Sequence, residues 1–197
     1  MSKIIWLVVF FLVLVWSGIN PKEGFTWFLE VLPAIIGIII LAFTYQSFPL
    51  TPLLYWLILF HCIVLMIGGH YTYAEVPLFD WLKDTFDLSR NNYDKVGHFT
   101  QGFVPAIIAR EIFIRKNVIN GLWWRRVLVV SICLAFSAFY ELIEWFVALM
   151  SGEDAVAFLG TQGYVWDTQS DMSWALFGSI CALLTLSNLH NKQIKKL

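Results

Sequence analysis

Three groups of ionisable residues sit where apolar segments begin or end: Asp94-Lys95-x-x-His98, Glu141-x-x-Glu144 and Asp167-x-x-x-Asp171. A carboxylate at the centre of a bilayer costs about 2.5–3.5 kcal/mol on insertion scales, so acids in such segments face a protein interior and usually have a task. On a helix, Asp94 and His98 are i,i+4 while His98 and Gln101 are i,i+3, which puts all three on one face. Glu141 and Glu144 also share a face, and two acids so placed repel unless a cation or a shared proton intervenes. An imidazole among carboxylates is an oxygen-rich ligand set suited to Mg, Mn, Zn or Fe. His98, Glu141, Glu144, Asp167 and Asp171 are therefore the expected ligands of a divalent metal. In that chemistry the catalytic candidates are His98, Lys95, Glu141 and Glu144, with His98 as ligand or general base and Lys95 neutralising a phosphate or an oxyanion. His70, Asp94 and Gln101 stand beside them.

Each group also has a structural reading. Asp94 can cap a helix while Lys95 snorkels to the interface. A lone histidine near a helix end is commonly a hydrogen-bonded packing residue. The macrodipole accounts for one of Asp167 and Asp171 without function. The Glu141/Glu144 pair is the hardest to explain that way.

The elements that must hold these residues follow from composition. Of 197 residues, 59% are hydrophobic and only 14% charged, against about 25% in a soluble domain, so the chain is an integral membrane protein with the lipid bilayer as its main partner. A formal net charge of −1 with no basic stripe argues against a nucleic-acid partner. Cys62, Cys133 and Cys181 all fall in apolar runs and read as packing residues; no disulfide framework or zinc spacing is present.

Six segments are expected to cross the membrane as an all-α bundle in one domain, at about 4–17, 26–43, 50–70, 96–114, 127–150 and 172–189. The first is short and can alternatively be read as a signal peptide, with Val15-Trp16-Ser17 as a cleavage site. Arg115, Lys116, Arg125 and Arg126 in one loop and Lys192, Lys195 and Lys196 in the tail assign those parts to the cytoplasm, with both termini inside. Glu75, Asp80, Asp84 and Asp87, then Glu153 and Asp154, mark outer loops. The first of these loops carries Leu78, Phe79, Trp81, Leu82 and Phe86 at helical spacing, an amphipathic segment over 77–89. The second, at 151–166, is either a loop dipping between the helix ends or a plain surface loop. This topology delivers Asp94, His98, Glu141, Glu144, Asp167, Asp171, His70 and Glu30 to one outer level. His61, in mid-span, reads as a satisfied core histidine; near the inner face Arg110 can snorkel and Glu111 can pair with a neighbouring helix, both in structural roles.

Four stretches carry a resemblance: Gly69-His70-Tyr71-Thr72-Tyr73-Ala74, Tyr93-Asp94-Lys95-Val96-Gly97-His98-Phe99, Phe139-Tyr140-Glu141-Leu142-Ile143-Glu144-Trp145, and Phe158-Leu159-Gly160-Thr161-Gln162-Gly163 followed by Trp166-Asp167-Thr168-Gln169. With these the chain resembles the YjdF-like family of bacterial inner-membrane proteins, a domain of unknown function. The resemblance implies a polytopic protein of the inner (plasma) membrane and supplies no reaction. Tyr164 and Ser170 depart from the family pattern, where an acid and a Trp are expected, so an acidic ligand at 164 is missing. A shorter similarity to VanZ-like membrane proteins runs through the Asp-Lys-x-x-His-Phe helix start and hints at lipid or glycolipid chemistry of the cell envelope.

The leading expectation is a metal-assisted hydrolase or transferase acting on a lipid-linked envelope substrate. The alternatives are an ion-coupled transporter using Glu141 and Glu144, and a non-catalytic membrane component whose polar cluster joins helix ends.

Overall fold

The structure, a computed structural model, describes residues 3–151 and 161–197. Among them every regular element is helical and no strand occurs. The helices are α1 (Lys3–Gly18), α2 (Gly24–Thr44), α3 (Pro52–His70), α4 (Pro77–Thr85), α5 (Tyr93–Arg115), α6 (Leu122–Ser151) and α7 (Asp167–Ile194). Pro52 and Pro77 begin α3 and α4, where a missing N–H leaves no carbonyl unserved. Four helices, α2, α3, α6 and α7, are long and apolar enough to cross a membrane. The other two expected spans are marginal for opposite reasons: α1 is apolar but has only 16 residues, and α5 has 23 but carries Asp94, Lys95, Arg110, Glu111 and Arg115.

Helix limits differ from expectation where polar residues join a helix. Besides the start of α5 at Tyr93, α6 begins at Leu122, taking up Trp123, Trp124, Arg125 and Arg126. The amphipathic segment stops at Thr85 instead of running to 89, because Asp87 takes a φ of 52° and turns the chain. No residue of α4 is buried, so it lies on the surface with Leu78 and Trp81 outward. Residues 162–166 are exposed. The rest of the expected second outer loop, with Glu153, Asp154 and the Phe158-Leu159-Gly160 stretch, lies outside the described residues.

Two apolar cores hold the bundle. Trp6, Phe10, Val31, Ala34, Leu59 and Met66 join α1, α2 and α3, and the Trp6 indole donates to the Tyr55 carbonyl at 2.7 Å. Leu54, Ala106, Ile107, Val129, Cys133 and Ala182 join α3, α5, α6 and α7. The tightest crossing is that of α5 with α7. A Cβ on Gly102 would stand 1.8 Å from the Ala175 carbonyl oxygen, and one on Gly178 would stand 2.1 Å from that of Phe99, so backbones touch where only glycine fits.

The two ends of the bundle are chemically opposite. At the basic end, Glu111 is fully buried and accepts from Thr51 Oγ1 at 2.7 Å, Arg115 at 2.7 Å and His190 Nε2 at 2.8 Å. Arg110 donates to His190 Nδ1 at 2.8 Å, and since a guanidinium only donates, the His190 proton sits on Nε2 and faces Glu111. A carboxamide from the tail helix, Gln193, accepts from the Leu53 amide at 2.8 Å. These contacts fix the start of α3 and the ends of α5 and α7 in one layer. His61 is a correction. Its Nε2 is buried with no hydrogen-bond partner among the described residues, and its helical neighbours at i±3 and i±4, Leu57, Ile58, Val64 and Leu65, carry no side-chain acceptor.

Candidate metal centre at the acidic end

The acidic end begins with how α6 is buried. Along this helix the buried residues are Val129, Cys133, Ser137, Glu141 and Glu144, a stripe at i,i+4 and i,i+3 steps. The stripe is aliphatic where it meets the second core and ionisable over its last two turns. Meanwhile Phe136, Phe139, Leu142, Trp145 and Phe146 are all well exposed on the other faces. A helix with apolar residues outside and acids inside is built for lipid outside and a polar centre within.

On α7 the buried stripe Asp167, Asp171, Ala175, Gly178 and Ala182 repeats that layout. The Gly102–Ala175 and Phe99–Gly178 contacts set its register against α5. One turn toward the acidic end from Gly102 and Ala175 stand His98 and Asp171, so the close crossing brings these two side chains together.

His98 Nε2 lies 3.4 Å from Asp94 Oδ1, 3.8 Å from Glu141 Oε1 and 3.9 Å from Asp171 Oδ2. Its other nitrogen, Nδ1, donates to Gln101 Oε1 at 3.0 Å. Asp94, His98 and Asp171 each offer one ligand atom, and these atoms all lie within 4.8 Å of one another. Two carboxylate oxygens at this centre, Glu141 Oε1 and Asp171 Oδ1, are buried with no hydrogen-bond partner among the described residues. The hydroxyl of Ser137, below Glu141 on the same stripe, has none either. An orphan buried carboxylate oxygen is costly unless it takes up a proton or meets a cation or a water.

The expected ligands thus divide. His98, Glu141 and Asp171 converge, and Asp94 joins them as a fourth contributor. Asp167 is turned away by an ion pair with Arg90, which also reaches Asp94 at 3.6 Å. Asp167 is the first residue of α7, and the cap position before it is held by Trp166, which makes no side-chain cap hydrogen bond. Glu144 is buried one turn beyond Glu141. Glu30 on α2, also buried, accepts from the Tyr140 hydroxyl at 3.3 Å. His70 goes elsewhere: its Nδ1 meets the Ser17 carbonyl at 2.9 Å and its ring packs against Trp16 and Tyr71, which anchors the end of α1. Lys95 lies half-buried over the Tyr164 ring at 5.6 Å, and Arg90 faces the same ring. An aromatic face in place of the acid expected at 164 holds two cations by its quadrupole.

Arg90 is the residue that sequence reasoning passed over. Its signal was a basic residue, next to two asparagines, in a connection rich in acids. Asn91 is fully buried and holds this connection in place. Its side chain donates to the Val76 carbonyl at 3.1 Å and to Asp80 at 2.9 Å, and accepts from the Tyr93 amide at 3.1 Å. Gln162 clamps it from the other loop, accepting from the Asn91 amide at 3.0 Å and donating to its carbonyl at 2.9 Å. Tyr73, at a φ of 56°, wedges between α3 and α5: a Cβ on Gly68 would sit 2.3 Å from its ring and one on Gly97 2.8 Å. The glycine in the Asp-Lys-Val-Gly-His run therefore makes room for this ring, while Gly102 serves the helix crossing.

A family model described as "Predicted membrane protein (DUF2238)" matches residues 2–192. "Inner membrane protein YjdF" of Escherichia coli (strain K12) is 49% identical over 185 residues, which is 94% of this chain and 88% of that protein. No solved structure matches the chain.

Proposed function

The chain belongs to the DUF2238 family of predicted membrane proteins, and from that premise we propose that it is a six-span inner-membrane protein holding a divalent metal ion at its outer face. The E. coli relative's description as an inner membrane protein supports the location. The distribution of charge supports the orientation. Lys3, Arg115, Lys116, Arg125, Arg126 and the tail lysines belong to the basic end, which is cytoplasmic by the positive-inside rule. With α1 and α5 counted beside the four helices that are long and apolar enough to cross, both termini are inside and the His98 centre opens outward.

The observation that carries the metal is the environment of His98 Nε2. Nδ1–H is committed to Gln101, which leaves Nε2, whose lone pair is free when the ring is neutral, facing three carboxylate groups on three helices. Separations of 3.4–3.9 Å are too long for good hydrogen bonds. The Asp94 separation of 3.4 Å matches the spacing of neighbouring ligands around an ion with bonds of about 2.0–2.2 Å, about 3.0–3.5 Å in octahedral or tetrahedral geometry, while those to Glu141 and Asp171 are wider and must close on binding. A histidine ligand oriented through its other nitrogen by a fixed acceptor is the usual outer-shell arrangement. Asp94, His98, Asp171 and Glu141 are the ligands of this reading. Asp167 is neutralised by Arg90, and Glu144 lies one turn beyond Glu141, outside the ligand set.

A metal there serves as a Lewis acid for hydrolysis or transfer on a lipid-linked phosphoester, with Lys95 on the rim to meet the anion. The test is the divalent metal content of detergent-purified protein, with the Asp171→Asn and Gln101→Leu variants. The reading expects near-stoichiometric metal in wild type, most of it lost from Asp171→Asn. Wild type free of metal after supplementation removes it. Metal-dependent cleavage of a phosphoester lipid in mixed micelles, lost in Glu141→Gln, then separates an enzyme from a carrier, whose activity instead shows as gradient-driven flux in proteoliposomes.

A further inference from the structure

The basic end holds a cavity unrelated to the His98 centre. It encloses about 170 Å³ between α5, α6 and α7 and is lined by Arg110, Arg125 and Arg126, with Ser187, Asn188 and Asn191 opposite. That is far more room than the ~10–15 Å³ that one water needs. Val129 and Leu183 form its apolar floor. No carboxylate occurs among its described lining residues. The nearest acid, Glu111, is already occupied by Thr51, Arg115 and His190.

The three guanidinium groups differ in how far they are satisfied. Arg110 donates to His190 and Asn191. Arg125 has a buried Nε with no hydrogen-bond partner among the described residues. A charged donor buried without an acceptor beside a cavity is a strong indication that the acceptor arrives with a ligand. Arg125 closes the first turn of α6 and Arg126 follows it, near the helix end whose dipole favours an anion. Trp123 and Trp124, exposed at 70% and 62%, precede them and fit the headgroup level of a membrane.

We propose that this cavity is a binding site for a phosphate group, held by Arg125 and Arg126 with Arg110 behind them and the Asn188 and Asn191 amides completing the shell. Guanidinium forks match phosphate oxygens in geometry as well as charge. The phosphate arrives either on an anionic phospholipid from the adjoining leaflet or as a soluble phosphate ion. The proposal is independent of the metal at the opposite end.

The test uses the full chain purified in detergent, with binding read by native mass spectrometry and by the shift in thermal unfolding. One arm adds an anionic phosphatidylglycerol, with zwitterionic phosphatidylcholine as its control; the other adds inorganic phosphate. The variants are Arg125→Gln, Arg126→Gln and, as a change that leaves both arginines in place, Asn188→Asp on the exposed rim. Lys116→Gln, a cation of the same end outside the cavity, is the control. Saturable binding in either arm, weakened about tenfold or more by each cavity variant and unchanged by Lys116→Gln, supports the site, and the arm that responds identifies the source. Binding in neither arm overturns it. Binding that all four variants weaken equally, or none weakens, also overturns it, because a diffuse surface potential then explains the attraction.

Discussion

His98 Nε2 stands 3.9 Å from Asp171 Oδ2 across a helix crossing closed by glycine–backbone contact at Gly102 and Gly178. The distance between these two side chains is a consequence of that contact. If the backbones separate, the imidazole on α5 and the acid on α7 separate with them.

Gly102→Val must push α5 away from the Ala175 carbonyl, since even a Cβ would stand 1.8 Å from that oxygen. We expect at least the 1–3 kcal/mol typical of about one overpacked position, together with loss of bound metal. Gly37→Ala, where nothing lies within 4 Å of the new Cβ, should leave thermal unfolding in detergent unchanged or slightly raised. Equal effects at both glycines would contradict the role given to the crossing.

Gln101 separates positioning from ligation. Gln101→Leu leaves every proposed ligand in place and removes only the acceptor of His98 Nδ1–H. Metal affinity should fall about 10–100-fold, with melting of the metal-free protein little changed. Metal competition with a chelating dye measures it. An unchanged affinity would mean that the ring is oriented by packing alone.

Metal binding should also depend on pH in a fixed direction. Nε2 and the carboxylates bind a cation only without their protons, so metal binding releases protons and its affinity falls as pH is lowered. Titrations at a series of pH values should show affinity rising with pH until the ligands are fully deprotonated. A flat profile would point to coordination by backbone carbonyls instead.

At the other end, Glu111→Gln removes a fully buried charge that His190, Arg115 and Thr51 all address. Breaking such a buried network typically costs about 3–5 kcal/mol. Unfolding of the variant should show a loss of that size while metal content per folded molecule stays the same, which makes the two ends separable.

Orientation has its own readout. A cysteine placed at Asp84, exposed on α4, should react with a membrane-impermeant maleimide in intact cells, and one at Asn117 only after permeabilisation. Native Cys62 and Cys133 are buried and give little background. The reverse pattern would place the His98 centre on the cytoplasmic side.

Much of this layout was legible because membrane chains separate charge so sharply. Spacing alone put His98 with Asp94 and Gln101, and made Glu141 and Glu144 neighbours, since helical period fixes which residues share a face. What spacing cannot encode is which faces of different helices meet. Asp167 and Asp171 look equivalent in sequence, yet Arg90 takes one and leaves the other to His98. His70 looked like a member of the cluster because it shares a level with it; its ring turns instead to Ser17 and Trp16 on α1, a choice set by how α1 packs. That His61 Nε2 meets no acceptor among the described residues was equally hidden, because a mid-helix histidine is satisfied only if another helix presents an acceptor at that height.

The most direct measurement is anomalous scattering from crystals, or local density in a cryo-electron map, of protein prepared with manganese. A peak about 2.0–2.3 Å from His98 Nε2 and from oxygens of Asp94 and Asp171 is the predicted result, with Gln101 still accepting from Nδ1. No peak there, with the imidazole instead closing to a direct hydrogen bond on one of the carboxylates, would show that the acids are joined by a charged histidine and that no metal belongs to the site.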